Sequence, residues 1–152
     1  MAYNRKAVVK YAEEWALGRN PNYYNYDKIG GDCTNFVSQC LYAGIQEMNY
    51  RKIGWYYKDA NRKSPSWTGV EFLYQFLIQN KNEGPQGKIV NRNELEEGDV
   101  IQLSFDGKIY GHTLLITAVK QNQILVSTHT IDAKNRDLTT YRFQKIRYLH
   151  IF

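Results

Sequence analysis

Apolar residues first recur at three- and four-residue spacing: Ala7, Val8, Tyr11, Ala12, Trp15 and Ala16 fall on one stripe, the period of an amphipathic helix. The spacing predicts a helix over 4–17, with Asn4 as its N-cap and Gly18 just past its end. The same period returns at Phe36, Val37, Cys40 and Leu41 and predicts a second helix over 33–43, closed by Gly44. Asp32 stands at its N-cap, where a carboxylate can accept from free backbone N–H groups. A third helix is predicted over 69–80 from Val70, Leu73, Tyr74, Leu77 and Ile78, opened by a capping box at Thr68 and Glu71. Residues 19–31 read as an ordered loop, and 45–65 as an aromatic, basic loop suited to line a surface groove.

After residue 94 the pattern becomes strand-like. Strands are predicted over 100–105, 109–119, 123–130 and 140–151, with turns at Asp106-Gly107 and Gln121-Asn122. The run Thr113-Leu-Leu-Ile-Thr-Ala-Val119 is apolar enough to be a central strand. Helices first and an antiparallel sheet after them make an α+β fold. The 152 residues suit one domain, 1–152, without internal repeats.

Composition narrows the partners. Apolar residues make up 43% of the chain, as in folded domains, and the net charge of +5 favours anionic partners. No basic run exceeds two residues, which argues against nucleic acid. No stretch approaches the ~20 apolar residues of a membrane span, and the N-terminus has no secretory apolar core. A soluble cytoplasmic monomer is therefore expected. A domain cut from a longer exported chain, wall- or spore-associated, would read the same. Many of the thirteen tyrosines lie early, at Tyr23, Tyr24, Tyr26, Tyr50, Tyr56 and Tyr57, and suit groove walls or the rim of a small core.

The chemistry centres on "GGDCTNFVSQC", residues 30–40. On one helix, Cys33 and Cys40 would be separated by roughly 10 Å along the axis, too far for a disulfide. Their spacing is not that of metal ligands. Cys40 lies on the apolar stripe and reads as core. Cys33 occupies the helix start, where the macrodipole favours a thiolate and free N–H groups can hold an oxyanion; a buried apolar cysteine is the other reading. Gly30 and Gly31 would let the loop turn tightly before it. His112, at the head of the central strand, is a candidate base or a satisfied strand histidine. His129, near the end of the next strand, could orient it as the third member of a triad, with Asp132 and Asn135 as competitors. His150 and Asp99 read as structural.

With these residues in place, "GGDCTNFVSQCLYAG", "SWTGVEF", "GDVIQL", "GHTLLIT" and "STHTID" resemble the putative amidase domain of Gram-positive bacteria, a relative of the NlpC-like and CHAP-like cysteine hydrolases of papain-related fold. The resemblance runs from about Tyr3 to Tyr148 and implies Cys33 as nucleophile, His112 as general base and His129 as third member. It further implies that Asp32 supports the helix start and that a tyrosine among Tyr23, Tyr24 and Tyr26, here taken as Tyr24, shapes the oxyanion site. One departure is Gly111, where many members carry an acid before the base. The implied activity is hydrolysis of a peptide amide, in peptidoglycan peptides among others, without metal or organic cofactor. Acyl transfer, or a catalytically degenerate module binding an anionic glycopeptide through residues 45–63, are the alternatives.

Overall fold

The computed structural model describes residues 2–152 and shows a mixed α+β architecture: helices packed on one face of an antiparallel sheet. The main helices are α1 (Arg5–Trp15), α2 (Cys33–Ile45) and α4 (Val70–Gln79), with a single turn, α3 (Pro65–Thr68), before the last. A small hairpin, β1 (Tyr57–Asp59) and β2 (Arg62–Lys63), precedes α3. The main sheet contains β3 (Gly87–Ile89), β4 (Val100–Ser104), β5 (His112–Lys120), β6 (Gln123–Thr128), β7 (Ala133–Asp137) and β8 (Lys145–Ile151). Its order is β3-β8-β4-β5-β6-β7, antiparallel throughout.

Period-two alternation divides the core between the two faces of this sheet. Val100, Leu115, Leu149 and Ile151 face the helices, among Val8, Phe36, Val37, Leu41 and Leu77. Ile101, Leu103, Leu114, Ile116 and Val126 face the other way and are covered by Leu95 and Leu138, beside or within short 3₁₀ turns. The head of β5 is therefore buried on both faces, as expected of a central strand.

Helix α1 starts as the sequence predicts, with Asn4 accepting from the Ala7 N–H. Helix α2 runs past Gly44 and ends at Gln46, which takes the left-handed conformation (φ 57°). Gly44 is small because α1 crosses there: a methyl group would strike Val8 Cγ2 and the Asn4 carbonyl. The predicted stripe understates α2, since every residue from Cys33 to Leu41 is buried. Its polar members are matched by buried tryptophans: Asn35 accepts from Trp67 Nε1 (3.0 Å), and Ser38 from Trp55 Nε1 (3.1 Å). The reading of 45–65 as a groove loop holds in part: Lys52, Ile53, Gly54, Tyr56 and Ser64 line a surface cavity, but Trp55 and Tyr57 lie in the core and Trp55 packs on Trp67 at 4.6 Å. The capping box at Thr68 does not form; Gly69 is the N-cap of α4, and Glu71 pairs instead with Arg147 (2.9 Å).

The ends of the chain meet at Asp99, a fully buried carboxylate. It accepts from Arg5 (2.8 Å), from the Ile151 N–H (2.9 Å) and from the Glu96 N–H (2.9 Å), and lies 3.1 Å from His150 Nδ1. Among the described residues, no helix is long and apolar enough to cross a membrane.

Candidate active site

The loop before α2 turns through two glycines in the left-handed region, Gly30 (φ 85°) and Gly31 (φ 99°), conformations that favour residues without a Cβ. It delivers Cys33 to the first turn of α2, buried against the head of β5. The Cys33 thiol lies 3.7 Å from Thr34 Oγ1, with the Thr113 backbone beside it. Burial dominates and pushes the thiol above its ordinary range, with Thr113 and Thr34 opposing it. The resting sulfur is a thiol. Cys40 is fully buried in the helix-side core, and both cysteines are free.

Next to this contact, Thr34 and Thr113 join α2 to β5 through their hydroxyls (2.9 Å), and Gln102 Nε2 donates to Thr113 (3.2 Å). Thr113 thus faces the helices. His112, one residue earlier, faces the opposite side, where its ring lies 6.0 Å from Phe105 and 6.2 Å from Tyr141. Thiol and imidazole therefore flank one stretch of β5 from different sides, and no hydrogen bond joins Cys33 to His112. Burial, then the nearby Arg136 guanidinium, push His112 down to about 4, so the imidazole is neutral at physiological pH and able to accept a proton.

His129 is not placed behind His112. It lies across the strand pair from Thr113, on the helix face, and its ring stacks on Phe36 at 4.2 Å. Its Nε2 is 2.8 Å from the Trp15 carbonyl, and its Nδ1 is 2.5 Å from Asp32 Oδ2. A carbonyl can only accept, so Nε2 donates there; the other nitrogen is occupied by Asp32. No ring atom remains for His112. The expectation of a Cys33–His112–His129 chain is corrected on this point.

The two alternative third members are engaged elsewhere as well. Asp132 forms a two-pronged pair with Arg19 (2.9 and 2.9 Å). Asn135 accepts from Thr117 Oγ1 (2.6 Å) and takes a left-handed φ of 52°.

Asp32 does not cap α2 with its side chain. Its Oδ1 instead accepts from the Tyr26 N–H (2.8 Å) and from Asn35 Nδ2 (2.9 Å), while Oδ2 meets His129. Its own N–H donates to Thr130 (2.8 Å). The carboxylate therefore folds the tyrosine loop onto the helix start. Tyr24 belongs to that loop, with its carbonyl accepting from Asn35 (2.9 Å), its N–H donating to the Tyr57 hydroxyl (2.8 Å) and its ring 4.9 Å from Tyr26.

A cavity of about 380 Å³ opens beside His112, lined in part by Phe105, Thr130, Arg136, Tyr141 and Arg142. Sequence reading missed Thr113, Arg136 and Tyr141. The last two sit in and after β7, a polar segment without alternation, and nothing in the pattern pointed to them. Among the described residues, no three His, Cys, Asp or Glu side chains gather to hold a metal ion.

The model of the family described as "Putative amidase domain" matches residues 2–152. Two Bacillus subtilis (strain 168) proteins, both described as uncharacterized, are similar over nearly the whole chain. YhbB is 36% identical over 96% of this chain and 49% of its own length. YjcM is 30% identical over 97% of this chain and 36% of its own length. The chain thus spans half or less of the curated relatives it matches. No solved structure matches. With a family model covering all but the first residue, and two relatives at this level of identity, the chain belongs to the putative amidase domain family.

Proposed function

We propose that this domain is a cysteine amidohydrolase that cleaves a peptide amide through an acyl-enzyme, with Cys33 as nucleophile and His112 as general base. The observation that carries this reading is the Cys33 thiol in the first turn of α2, beside the backbone of Thr113, the residue after His112. A cysteine on a helix start followed by a histidine on an antiparallel sheet is the order of the NlpC-like, papain-related hydrolases. Peptidoglycan stem peptides are the substrate class this likeness suggests.

The resting pair is uncharged, a raised thiol beside a lowered imidazole. Proton transfer therefore accompanies attack rather than preceding it. As substrate enters, His112 closes on the sulfur and takes its proton while Sγ bonds to the carbonyl carbon. Backbone N–H groups at the start of α2 face the developing oxyanion. The imidazolium then gives its proton to the leaving amine, and the neutral ring activates the water that releases the acyl group.

The test is alkylation of the native protein at neutral pH with an iodoacetamide probe, located by peptide mapping, together with hydrolysis of peptidoglycan fragments. Cys33 should take the label, and Cys33→Ser should lose both label and hydrolysis. Labelling of Cys40 in place of Cys33 would overturn the assignment.

The absence of a Cys33–His112 hydrogen bond favours a second reading, a domain that binds the same class of peptide without cleaving it. In that case Cys33→Ser would leave peptide affinity unchanged, and no turnover would be found in the parent.

A further inference from the structure

The cavity beside His112 has a one-sided electrostatic character. Arg136 and Arg142 stand in its wall, and no carboxylate lines it. Two acids near its Thr130 edge are already matched: Asp27, which accepts from Thr130, and Asp132 both pair with Arg19, at 2.6 and 2.9 Å. Arg136 is held in place rather than free to swing. Its guanidinium lies 3.9 Å over the Tyr141 ring, Nε donates to Thr140 Oγ1 (2.7 Å) and Nη2 to the Thr140 carbonyl (3.1 Å). That leaves Nη1 without a partner among the described residues. Arg142 makes no hydrogen bond or ion pair with any described residue. A fixed guanidinium with an unused prong, and a second cation beside it, form an arrangement that suits a planar anion.

Two lining residues tie this wall to the nucleophile. Thr130 accepts the N–H of Asp32, the residue before Cys33. His112 precedes Thr113, whose backbone meets the sulfur. An anion held by the arginines would lie beside His112, on the side from which the ring approaches the sulfur in the proposed reaction. The rest of the wall, with Phe105 and Tyr141, is apolar enough to strengthen such a contact by excluding water.

We propose that this cavity is a carboxylate-recognition subsite, and that the amide cleaved at Cys33 is flanked by a free carboxylate bound by Arg136 and Arg142. The inference rests on the assignment of Cys33 as nucleophile. It goes beyond that assignment by naming what the neighbouring cavity selects: acidic or carboxyl-terminal peptide amides rather than neutral ones.

The test compares alkylation of Cys33 in the native protein by iodoacetate and by iodoacetamide, reagents of similar size that differ in charge. Each rate is normalised to the same pair of rates on a neutral small thiol, N-acetylcysteinamide. The normalised iodoacetate preference should exceed unity by about threefold or more, the effect of one or two partly exposed charge pairs. It should fall in Arg142→Gln, whose iodoacetamide rate stays near the parent value, and also in Arg136→Gln, where the ratio of the two rates is read because Arg136 also acts on His112. Arg142 is exposed and unpaired, so its replacement leaves the fold intact even if that of Arg136 loosens β7. A preference at or below unity, or one untouched by both replacements, would overturn the subsite while leaving the nucleophile standing. Failure of both reagents at Cys33 would instead overturn the nucleophile and the subsite with it.

Discussion

His129 Nδ1 and Asp32 Oδ2 lie 2.5 Å apart, both side chains almost wholly buried, at the point where the tyrosine loop, the start of α2 and the end of β6 converge. The relationship makes His129 a positioning group for the loop that presents Cys33. Its replacement by Phe would keep the ring on Phe36 but strand a buried carboxylate, leaving Asp32 Oδ2 only Arg19 Nε at 3.5 Å. The expected loss is about 3–5 kcal/mol in denaturant unfolding. Asp32→Asn should lose less, because an amide can still donate to Nδ1 while Nε2 donates to Trp15. Equal stability of parent and His129→Phe would contradict this role.

The pH dependence of turnover should be set by His112. The base must be neutral to accept the thiol proton, and its titration is pushed down to about 4 by burial and Arg136. Activity should therefore hold from neutral pH to about pH 5 and fall as pH drops through about 4. An acid limb near the ordinary histidine value of about 6.5 would refute this. Between those two values the unfolded chain binds a proton that the folded state refuses, so His112 also lowers stability as pH falls across that window.

Gly111→Asp offers a complementary reading of the same residue. No atom lies within 4 Å of where a Cβ would stand at Gly111, so the side chain can be accommodated. A carboxylate one residue from His112 favours the imidazolium. The acid limb of the rate profile should move upward, and a limb that stays in place would show the two groups to be electrostatically separate.

Thr113→Val tests the seam between α2 and β5. The substitution keeps the strand and its backbone contact to Cys33 but leaves the Thr34 hydroxyl, 1% exposed, without its partner. A buried polar group left unpaired costs about 1–3 kcal/mol. Thermal unfolding should shift accordingly, and the alkylation rate of Cys33 should change as the helix start relaxes.

Gly44→Ala should be strongly unfavourable although alanine is the better helix former. The added methyl meets Val8 Cγ2 and the Asn4 carbonyl, so α1 and α2 must move apart. Overpacking of this kind costs about 1–3 kcal/mol. A gain in stability would mean that the two helices are not held at this separation.

The helices and the central strands were legible because their apolar periods are strong: Val8 and Ala12 in α1, Phe36 to Leu41 in α2, Leu114 to Ile116 in β5. Strands β3 and β7 were not, since Gly87-Lys-Ile89 is short and Ala133-Lys-Asn-Arg-Asp137 is polar; both lie at sheet edges, where one neighbour suffices. At the site, the position of Cys33 at the start of α2 was legible, while the helix start alone left nucleophile and buried apolar cysteine as alternatives. The partner of His129 was not legible. Sequence order suggested that neighbouring strands bring His112 and His129 together, but one-residue alternation sends them to opposite faces of the sheet. Asp32 was likewise read as an ordinary cap, because nothing local reveals a histidine 97 positions away competing for its carboxylate.

The buried Asp99 has a topological corollary. It binds Arg5, in the first turn of α1, and the Ile151 N–H, at the end of β8, and Arg5 also reaches the Ile151 carbonyl. Arg5 and Ile151 thus stand side by side, locked to one carboxylate. A circular permutant joining them through a short linker and reopening the exposed Gln121–Asn122 turn would preserve the sheet order, the Asp99 lock and the path from Cys33 to His112. Covalent continuity between β5 and β6 is then dispensable to the architecture, provided that this one carboxylate keeps the seam closed.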